Sequence, residues 1–209
     1  MSERNDYFES MKALAREKRT HYGVRTEAFG LRELRLIYKA ERVKIDRWDS
    51  LPAKVRALYM CEDGVCSVAV RSTLPTEPRL FALTHELKHH YCDQDKLSSG
   101  ELPCGDYNAN ELIEVGAEVF AAEFLYPEEE FKAHALAFSS HHWSPEDIVR
   151  FKRNCRARIS YASLRKRLER LGLTGHGEYR AIQFRNLEEQ MFGPPIYKQG
   201  WFQRRRQRI

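Results

Sequence analysis

The sequence predicts an α+β fold in which a pair of short strands lies between amphipathic helices. Two runs rich in β-branched and aromatic residues flank the turn formers at 62–64 (Glu-Asp-Gly), which is the pattern of a β-hairpin within residues 54–72. Apolar residues at helical spacing precede the hairpin, as with Leu31, Leu34 and Ile37. With 209 residues the chain is long enough for one domain and a small appendage.

The remaining elements follow from apolar periodicity and from helix start signals. Ser144 precedes Pro145 and stands where a helix N-cap is expected, and Ser160 stands in a similar position. Residues 94–108 are rich in turn formers and predict a loop, and the tail after residue 175 is expected to be irregular. Helices are expected over residues 6–20, 28–40, about 77–93, about 110–125, 127–138, from 144 onward and 160–172.

The composition favours a soluble cytoplasmic protein. Hydrophobic residues make up 42% of the chain and charged residues 31%, so a core is expected beneath a well-solvated surface. No run approaches the roughly 18 apolar residues of a membrane span, and the N-terminus lacks the apolar segment of a secretory signal. The formal net charge of +5 is mildly basic, which is not the profile of a dedicated nucleic-acid binder.

The five cysteines, an odd number, do not suggest the disulfide framework of a small secreted protein. Cys61 and Cys66 flank the predicted hairpin turn and are expected to face each other. The two cysteines are expected to be reduced and to pack as hydrophobic side chains. The alternatives are that they form a redox-active pair or half of a metal site.

The stretch LTHELKHHYC, residues 83–92, contains three of the eight histidines and the pattern H-E-x-x-H at His85, Glu86 and His89. Residues four apart share one face of a helix, so both imidazoles are able to bind one metal ion. Glu86 lies beside them, where a carboxylate activates a metal-bound water. The alternative is a polar patch on a solvated helix.

A third protein ligand is needed, because catalytic zinc sites use three protein ligands and leave one position open. The helix predicted over residues 110–125 offers Glu114, which completes a His₂Glu set. Glu118, one turn later, is placed to accept a hydrogen bond from a ligand imidazole. The alternative is that Glu111, Glu114 and Glu118 form a solvated acidic face.

These residues suggest a hydrolytic mechanism in which His85, His89 and Glu114 hold Zn²⁺. The metal lowers the pKa of its water toward ~7, Glu86 accepts the proton, and a peptide carbonyl is attacked. Mn²⁺ and Fe²⁺ are alternative metals, since availability as well as affinity decides which metal is bound. A further hydrogen-bond donor is expected to stabilise the oxyanion. The candidates are His90, Tyr91 and Tyr126.

Two segments around these residues resemble the ImmA/IrrE family of metallopeptidases. RLFALTHELKHH is similar to the family's R-x-F-x-x-A-H-E-L-G-H, with Thr84 and Lys88 where the family usually has Ala and Gly. EVGAEVFAAEFLYP, residues 114–127, matches E-x-x-A-N-x-F-A-A-x-L-L-x-P, except that Glu118 replaces Asn and Phe124 replaces Leu.

A third segment extends the resemblance. ISYASLRKRLERLGL, residues 159–173, is similar to the family's S-Y-x-A-L-x-x-R-L-x-x-L-G-L. The three motifs occur in the family's order, and the resemblance covers about residues 10–175.

The resemblance implies a minimal zincin-like domain over residues 1–138, with a small mixed sheet packed on the helices that carry the site. It implies a helical, helix-turn-helix-like segment over residues 139–175, and residues 176–209 are expected to form an irregular basic tail. Members of the family are bacterial or phage proteins that typically cleave or antagonise a helix-turn-helix repressor. The chain is therefore expected to be a zinc-dependent, gluzincin-like endopeptidase with such a repressor as its partner, and without a membrane partner.

DNA binding is one alternative function. Residues 148–172 suit a helix-turn-helix, although their apolar residues also fit packing on the catalytic domain. The basic residues expected to face phosphates are Arg165, Lys166, Arg167 and Arg170.

A toxin or regulator without proteolytic activity is the other alternative. Two departures from the family pattern support this alternative. Lys88 adds a cation within a turn of the site, and Glu118 adds negative charge near the metal.

Overall fold

The computed structural model describes residues 3–52, 54–62, 64–94, 111–155, 157–195 and 198. These residues form eight α-helices and a three-stranded sheet, so the predicted α+β class is confirmed. The helices are α1 (Glu3–His21), α2 (Leu31–Ala40), α3 (Thr76–Cys92), α4 (Glu111–Leu125), α5 (Glu128–Phe138), α6 (Pro145–Asn154), α7 (Tyr161–Arg170) and α8 (Phe184–Phe192). The strands are β1 (Lys44–Trp48), β2 (Ala57–Glu62) and β3 (Val65–Arg71). Among the described residues, no helix is both long enough and apolar enough to span a bilayer.

The sheet has the strand order β1-β3-β2. Strands β2 and β3 form the predicted antiparallel hairpin, in which Tyr59 is the partner of Val68. Gly64 lies in the turn with a φ of 76°, a left-handed conformation that glycine adopts without steric cost. Strand β1 pairs in parallel with β3. It was not predicted, because its sequence KIDRW is mostly exposed and shows no buried face.

Cys61 and Cys66 are joined by a disulfide bond, so the expectation of reduced thiols is wrong for this structure. The two residues are direct partners in the antiparallel register, which places their side chains on the same face of the hairpin. The side-chain amide of Gln94 lies 3.4 Å and 3.5 Å from the two sulfur atoms. The spacing therefore predicts that the side chains meet but not that they are bonded.

Helices α1, α3 and α4 pack together beside the sheet. Gly116 is a point of close contact between α4 and α1, since a Cβ at this position would lie 2.6 Å from both Cε1 and Oη of Tyr7. The absence of a side chain at Gly116 thus sets how deeply α1 packs against the helix that carries Glu114. The fully buried core includes Leu34, Tyr59, Val68, Leu80, Leu87, Phe120 and Phe124.

The chain divides into two compact units. The first consists of residues 1–131 and 156–160, and the second of residues 132–155 and 161–209. The boundary expected between residues 138 and 139 therefore falls inside the second unit.

The second unit has its own buried centre at Trp143, which is fully buried. Its ring lies 5.0 Å from the ring of Phe151 and 5.0 Å from that of Phe138. Ser144 caps α6 as predicted: its hydroxyl accepts from the Asp147 N–H, and the Asp147 carboxylate accepts from the Ser144 N–H. The start signals in the sequence are therefore confirmed for this helix.

Helix α8 lies within the tail that was expected to be irregular, and that expectation is corrected for its residues. Phe184 stacks on Tyr161 of α7 with the ring centroids 5.1 Å apart, and the Tyr161 hydroxyl donates to Glu188 at 2.9 Å. These contacts stabilise a helix of nine residues, which is too short to be found from periodicity. The loop predicted over residues 94–108 lies outside the described residues, except for Gln94.

Candidate metal centre

Helix α3 carries the H-E-x-x-H residues and packs against α4. It begins at Thr76, and Pro78 lies in its first turn, where a missing N–H costs no intrahelical hydrogen bond. Leu80, Leu83 and Leu87 are buried in the core of the first unit. Because these leucines fix the rotation of the helix, the positions that carry the two histidines are directed toward α4.

Three side chains from α3 and α4 converge. His85 Nε2 lies 3.1 Å from Glu114 Oε2, and His89 Nε2 lies 3.2 Å from His85 Nε2. The third separation, from His89 Nε2 to Glu114 Oε1, is 3.7 Å. Within the described residues, this is the one group of three His, Cys, Asp or Glu side chains whose ligand atoms all lie within 4.8 Å of one another.

The geometry of this cluster fits a zinc ion. Tetrahedral ligands at roughly 2.0–2.1 Å from zinc lie about 3.3 Å from one another. The two imidazole nitrogens are 3.2 Å apart, and they lie 3.1 Å and 3.7 Å from the Oε2 and Oε1 atoms, respectively, of the Glu114 carboxylate. Two imidazoles and one carboxylate are a donor set of catalytic zinc sites, which keep a fourth position open. The side chains of His85 and Glu114 remain 15% and 17% exposed, so the cluster is reachable from solvent.

The charges within the cluster support metal binding. Burial alone lowers the pKa of His85, but the hydrogen bond and charge of Glu114, together with the charges of Glu86 and Glu118, outweigh burial and raise that pKa above its ordinary value. Burial alone raises the pKa of Glu114, but the hydrogen bond from His85 and the charges of His85, His89 and Lys88 together outweigh it and lower that pKa. A metal ion that binds here competes with a proton for His85, so metal affinity is expected to increase with pH.

Glu86 is buried next to the cluster and is held by the sheet. Its Oε2 accepts a hydrogen bond from the backbone N–H of Tyr59 in β2 at 2.9 Å. Burial raises the pKa of Glu86, and the imidazoles of His85 and His89 oppose this effect only in part. A carboxylate with a raised pKa is the better proton acceptor near neutral pH, so this environment suits the general base that the sequence predicts.

Asp93 is the hydrogen-bond partner of His89, and the sequence analysis did not single it out. Its Oδ2 lies 2.8 Å from His89 Nδ1 and 2.6 Å from Lys88 Nζ. Burial alone raises the pKa of Asp93, but these two donors outweigh it and lower that pKa. Asp93 follows His89 by four residues, and this spacing is the signal that predicts their contact. Glu118 acts on His85 through its charge, and its expected hydrogen bond to an imidazole stays a prediction.

The three candidate oxyanion donors occupy different surroundings. His90 Nδ1 lies 2.9 Å from the hydroxyl of Tyr59 in β2. The ring of Tyr91 lies 4.4 Å from Lys18 Nζ in α1, and Tyr126 is buried with 1% of its surface exposed. Their roles as oxyanion donors stay predictions.

The basic residues of α7 that were expected to face DNA differ in exposure. Arg165 forms an ion pair with Glu169 at 3.4 Å, and 17% of its side chain is exposed. Arg167 is half-buried, whereas Lys166 and Arg170 are exposed. Two of the four basic residues are therefore exposed to solvent.

The sequence was compared with models of known protein families. The model of the Peptidase_M78 family, described as the IrrE N-terminal-like domain, matches residues 26–169. The chain belongs to the Peptidase_M78 family. The resemblance to the ImmA/IrrE metallopeptidases is thereby confirmed, and the match contains all three residues of the metal cluster. Membership of the Peptidase_M78 family supports a metallopeptidase-like function.

A solved structure shares the fold. A Mycobacterium tuberculosis transcriptional regulator matches with a TM-score of 0.55 and 22% identity, over 79% of this chain and 48% of that protein. The chain thus spans about half the length of the regulator, and a likeness at this identity shows the fold alone. Among curated proteins, none matches significantly.

Proposed function

We propose that the chain is a zinc-dependent endopeptidase that hydrolyses a peptide bond in a protein substrate, and that this substrate is a helix-turn-helix transcriptional repressor. The observation that carries the proposal is the convergence of His85, His89 and Glu114, with ligand-atom separations of 3.1–3.7 Å, in a member of the Peptidase_M78 family. The choice of a repressor rests on the resemblance to the ImmA/IrrE metallopeptidases.

Each residue of the site has a distinct task in this proposal. Zinc bound by His85, His89 and Glu114 supplies a Lewis acid that polarises the scissile carbonyl and activates water. Glu86 accepts the proton that the attacking water loses and returns it to the leaving amine. The N–H of Tyr59 holds the Glu86 carboxylate in place at 2.9 Å.

The proposal is tested by incubating the zinc-loaded protein with a bacterial lysate and labelling the newly formed protein N-termini for mass spectrometry. The matched control is Glu86→Gln, which keeps the size of the side chain and an oxygen to accept from Tyr59. We expect new N-termini with the wild type that are missing with the variant. An identical set of termini from the two proteins contradicts the endopeptidase assignment, and cleavage confined to proteins without a helix-turn-helix contradicts the choice of a repressor.

DNA binding by α7 is a second proposal. Lys166 and Arg170 are exposed on this helix, and the similar solved structure is that of a transcriptional regulator. A salt-sensitive gel shift that is lost in a Lys166→Ala/Arg170→Ala variant would support this function. Failure to bind any DNA at low salt would exclude it.

A further inference from the structure

Lys88 immediately precedes His89 in α3, and its positively charged side chain is buried. Its side chain is 0% exposed. A buried ammonium group is stable only when its charge is paired and its hydrogen-bond donors have partners. Lys88 Nζ donates to Asp93 Oδ2 at 2.6 Å and to the carbonyl oxygen of Ile113 at 3.3 Å. The centroid of the Tyr7 ring lies 5.9 Å from Lys88 Nζ, within the range of a cation–π contact.

Asp93, the first partner of Lys88, also contacts His89, one of the proposed metal ligands. Asp93 Oδ2, which accepts from Lys88, also accepts from His89 Nδ1 at 2.8 Å. With Nδ1 occupied as a donor, Nε2 of His89 carries the lone pair, and this atom lies 3.2 Å from His85 Nε2 in the cluster. A carboxylate behind a ligand histidine fixes its tautomer and its ring orientation.

The second partner of Lys88 lies beside the third ligand. Ile113 immediately precedes Glu114 in α4, so the bond from Lys88 to the Ile113 carbonyl joins α3 to the first turn of α4. One ammonium group from α3 therefore contacts the carboxylate at the C-cap of its own helix and the backbone of α4. The histidines come from α3 and the carboxylate from α4, and their spacing depends on how these two helices are held together.

We propose that Lys88 is a positioning residue of the metal site, which holds His89 in its ligand tautomer through Asp93 and holds Glu114 in register through the carbonyl of Ile113. This inference rests on the proposed zinc site. The Lys88 ammonium group donates to Asp93 and to the Ile113 carbonyl, so the cation supports the site through these two contacts.

The test is the zinc dissociation constant, measured by competition with a chromogenic chelator. Lys88→Met and Asp93→Asn are each expected to weaken zinc binding by about 10- to 100-fold. The loss in the double variant is expected to be smaller than the sum of the two single losses in free energy, because both substitutions break the same Lys88–Asp93 contact. Lys39→Met, an exposed lysine on α2, is the control and should bind zinc like the wild type. Unchanged affinity in Lys88→Met, or losses that add in the double variant, overturns the inference.

A second readout separates positioning from a general effect on stability. In the zinc-loaded wild type, long-range ¹⁵N NMR should show His89 with a protonated Nδ1 and zinc at Nε2, and Asp93→Asn should shift the Nδ1 resonance. If Lys88→Met fails to fold, Asp93→Asn and this spectrum carry the test. Zinc at Nδ1 of His89 overturns the inference.

The outcomes also distinguish this inference from the proposed function. A wild type that binds zinc through the expected atoms but cleaves no protein leaves the role of Lys88 standing and removes the peptidase. A wild type that binds no zinc overturns both.

Discussion

Replacement of Gly116 by alanine tests the packing that places the third ligand. A Cβ at Gly116 would lie 2.6 Å from Tyr7 Cε1 and Oη, and 2.8 Å from its Cζ. Carbon atoms in contact are normally about 3.5–4.0 Å apart, so the tyrosine ring has to move by about 1 Å. Such overpacking typically costs about 1–3 kcal/mol. Alanine regains about 1 kcal/mol of helix propensity over glycine, which leaves a net destabilisation of about 0–2 kcal/mol.

The assay is chemical denaturation of the apo protein, followed by the zinc dissociation constant. We expect Gly116→Ala to lower the free energy of unfolding by the net amount above and to weaken zinc binding, because α4 and Glu114 shift with the displaced contact. In a Tyr7→Ala background the same substitution should no longer destabilise, since the ring that it meets is gone. A Gly116→Ala substitution that changes the free energy of unfolding equally in the wild-type and Tyr7→Ala backgrounds would refute the close contact between Gly116 and Tyr7.

Three further predictions concern the base, a helix cap and the disulfide. The Glu86→Gln variant should bind zinc like the wild type, and its rate of peptide-bond cleavage should be about 10²- to 10⁴-fold lower. If the variant cleaves at the wild-type rate when new N-termini are labelled and counted, Glu86 is not the general base. Ser144→Ala should destabilise the protein by about 1 kcal/mol in urea denaturation. The hydrogen bond from the Ser144 hydroxyl lowers the pKa of Asp147, so the stabilisation by this cap is present above about pH 4 and is lost as the pH falls through the lowered pKa. If the stability of the Ser144→Ala variant depends on pH in acid as that of the wild type does, the cap is contradicted. Iodoacetamide should label Cys61 and Cys66 only after reduction, as measured by mass spectrometry, and labelling without a reductant would contradict the disulfide.

The convergence of His85, His89 and Glu114 was predictable because most of it depends on local geometry. Two histidines four residues apart share a helix face whatever the tertiary structure is, and Glu114 followed from the need for a third ligand on a neighbouring helix. The supporting residues were not predictable in this way. The role of Lys88 depends on Asp93, just beyond the end of α3, and on the backbone of Ile113 in α4, so it requires the tertiary arrangement.

The fold shows the same division between local and distant interactions. The hairpin β2–β3 and the capped helix α6 have their signals in neighbouring residues, and both were predicted. Strand β1 forms by parallel pairing with β3, and α8 forms by stacking Phe184 on Tyr161, and these partners are distant in sequence. The repressor substrate and a cytoplasmic location stay predictions, since neither follows from the described contacts.

The metal content of the untagged protein is the most direct test of the central claim. Elemental analysis of the wild type should find about one zinc per chain, and Glu114→Ala, which removes the carboxylate 3.1 Å from His85, should retain much less. A wild type that holds no metal, even after zinc is added, would contradict the assignment of His85, His89 and Glu114 as a metal centre.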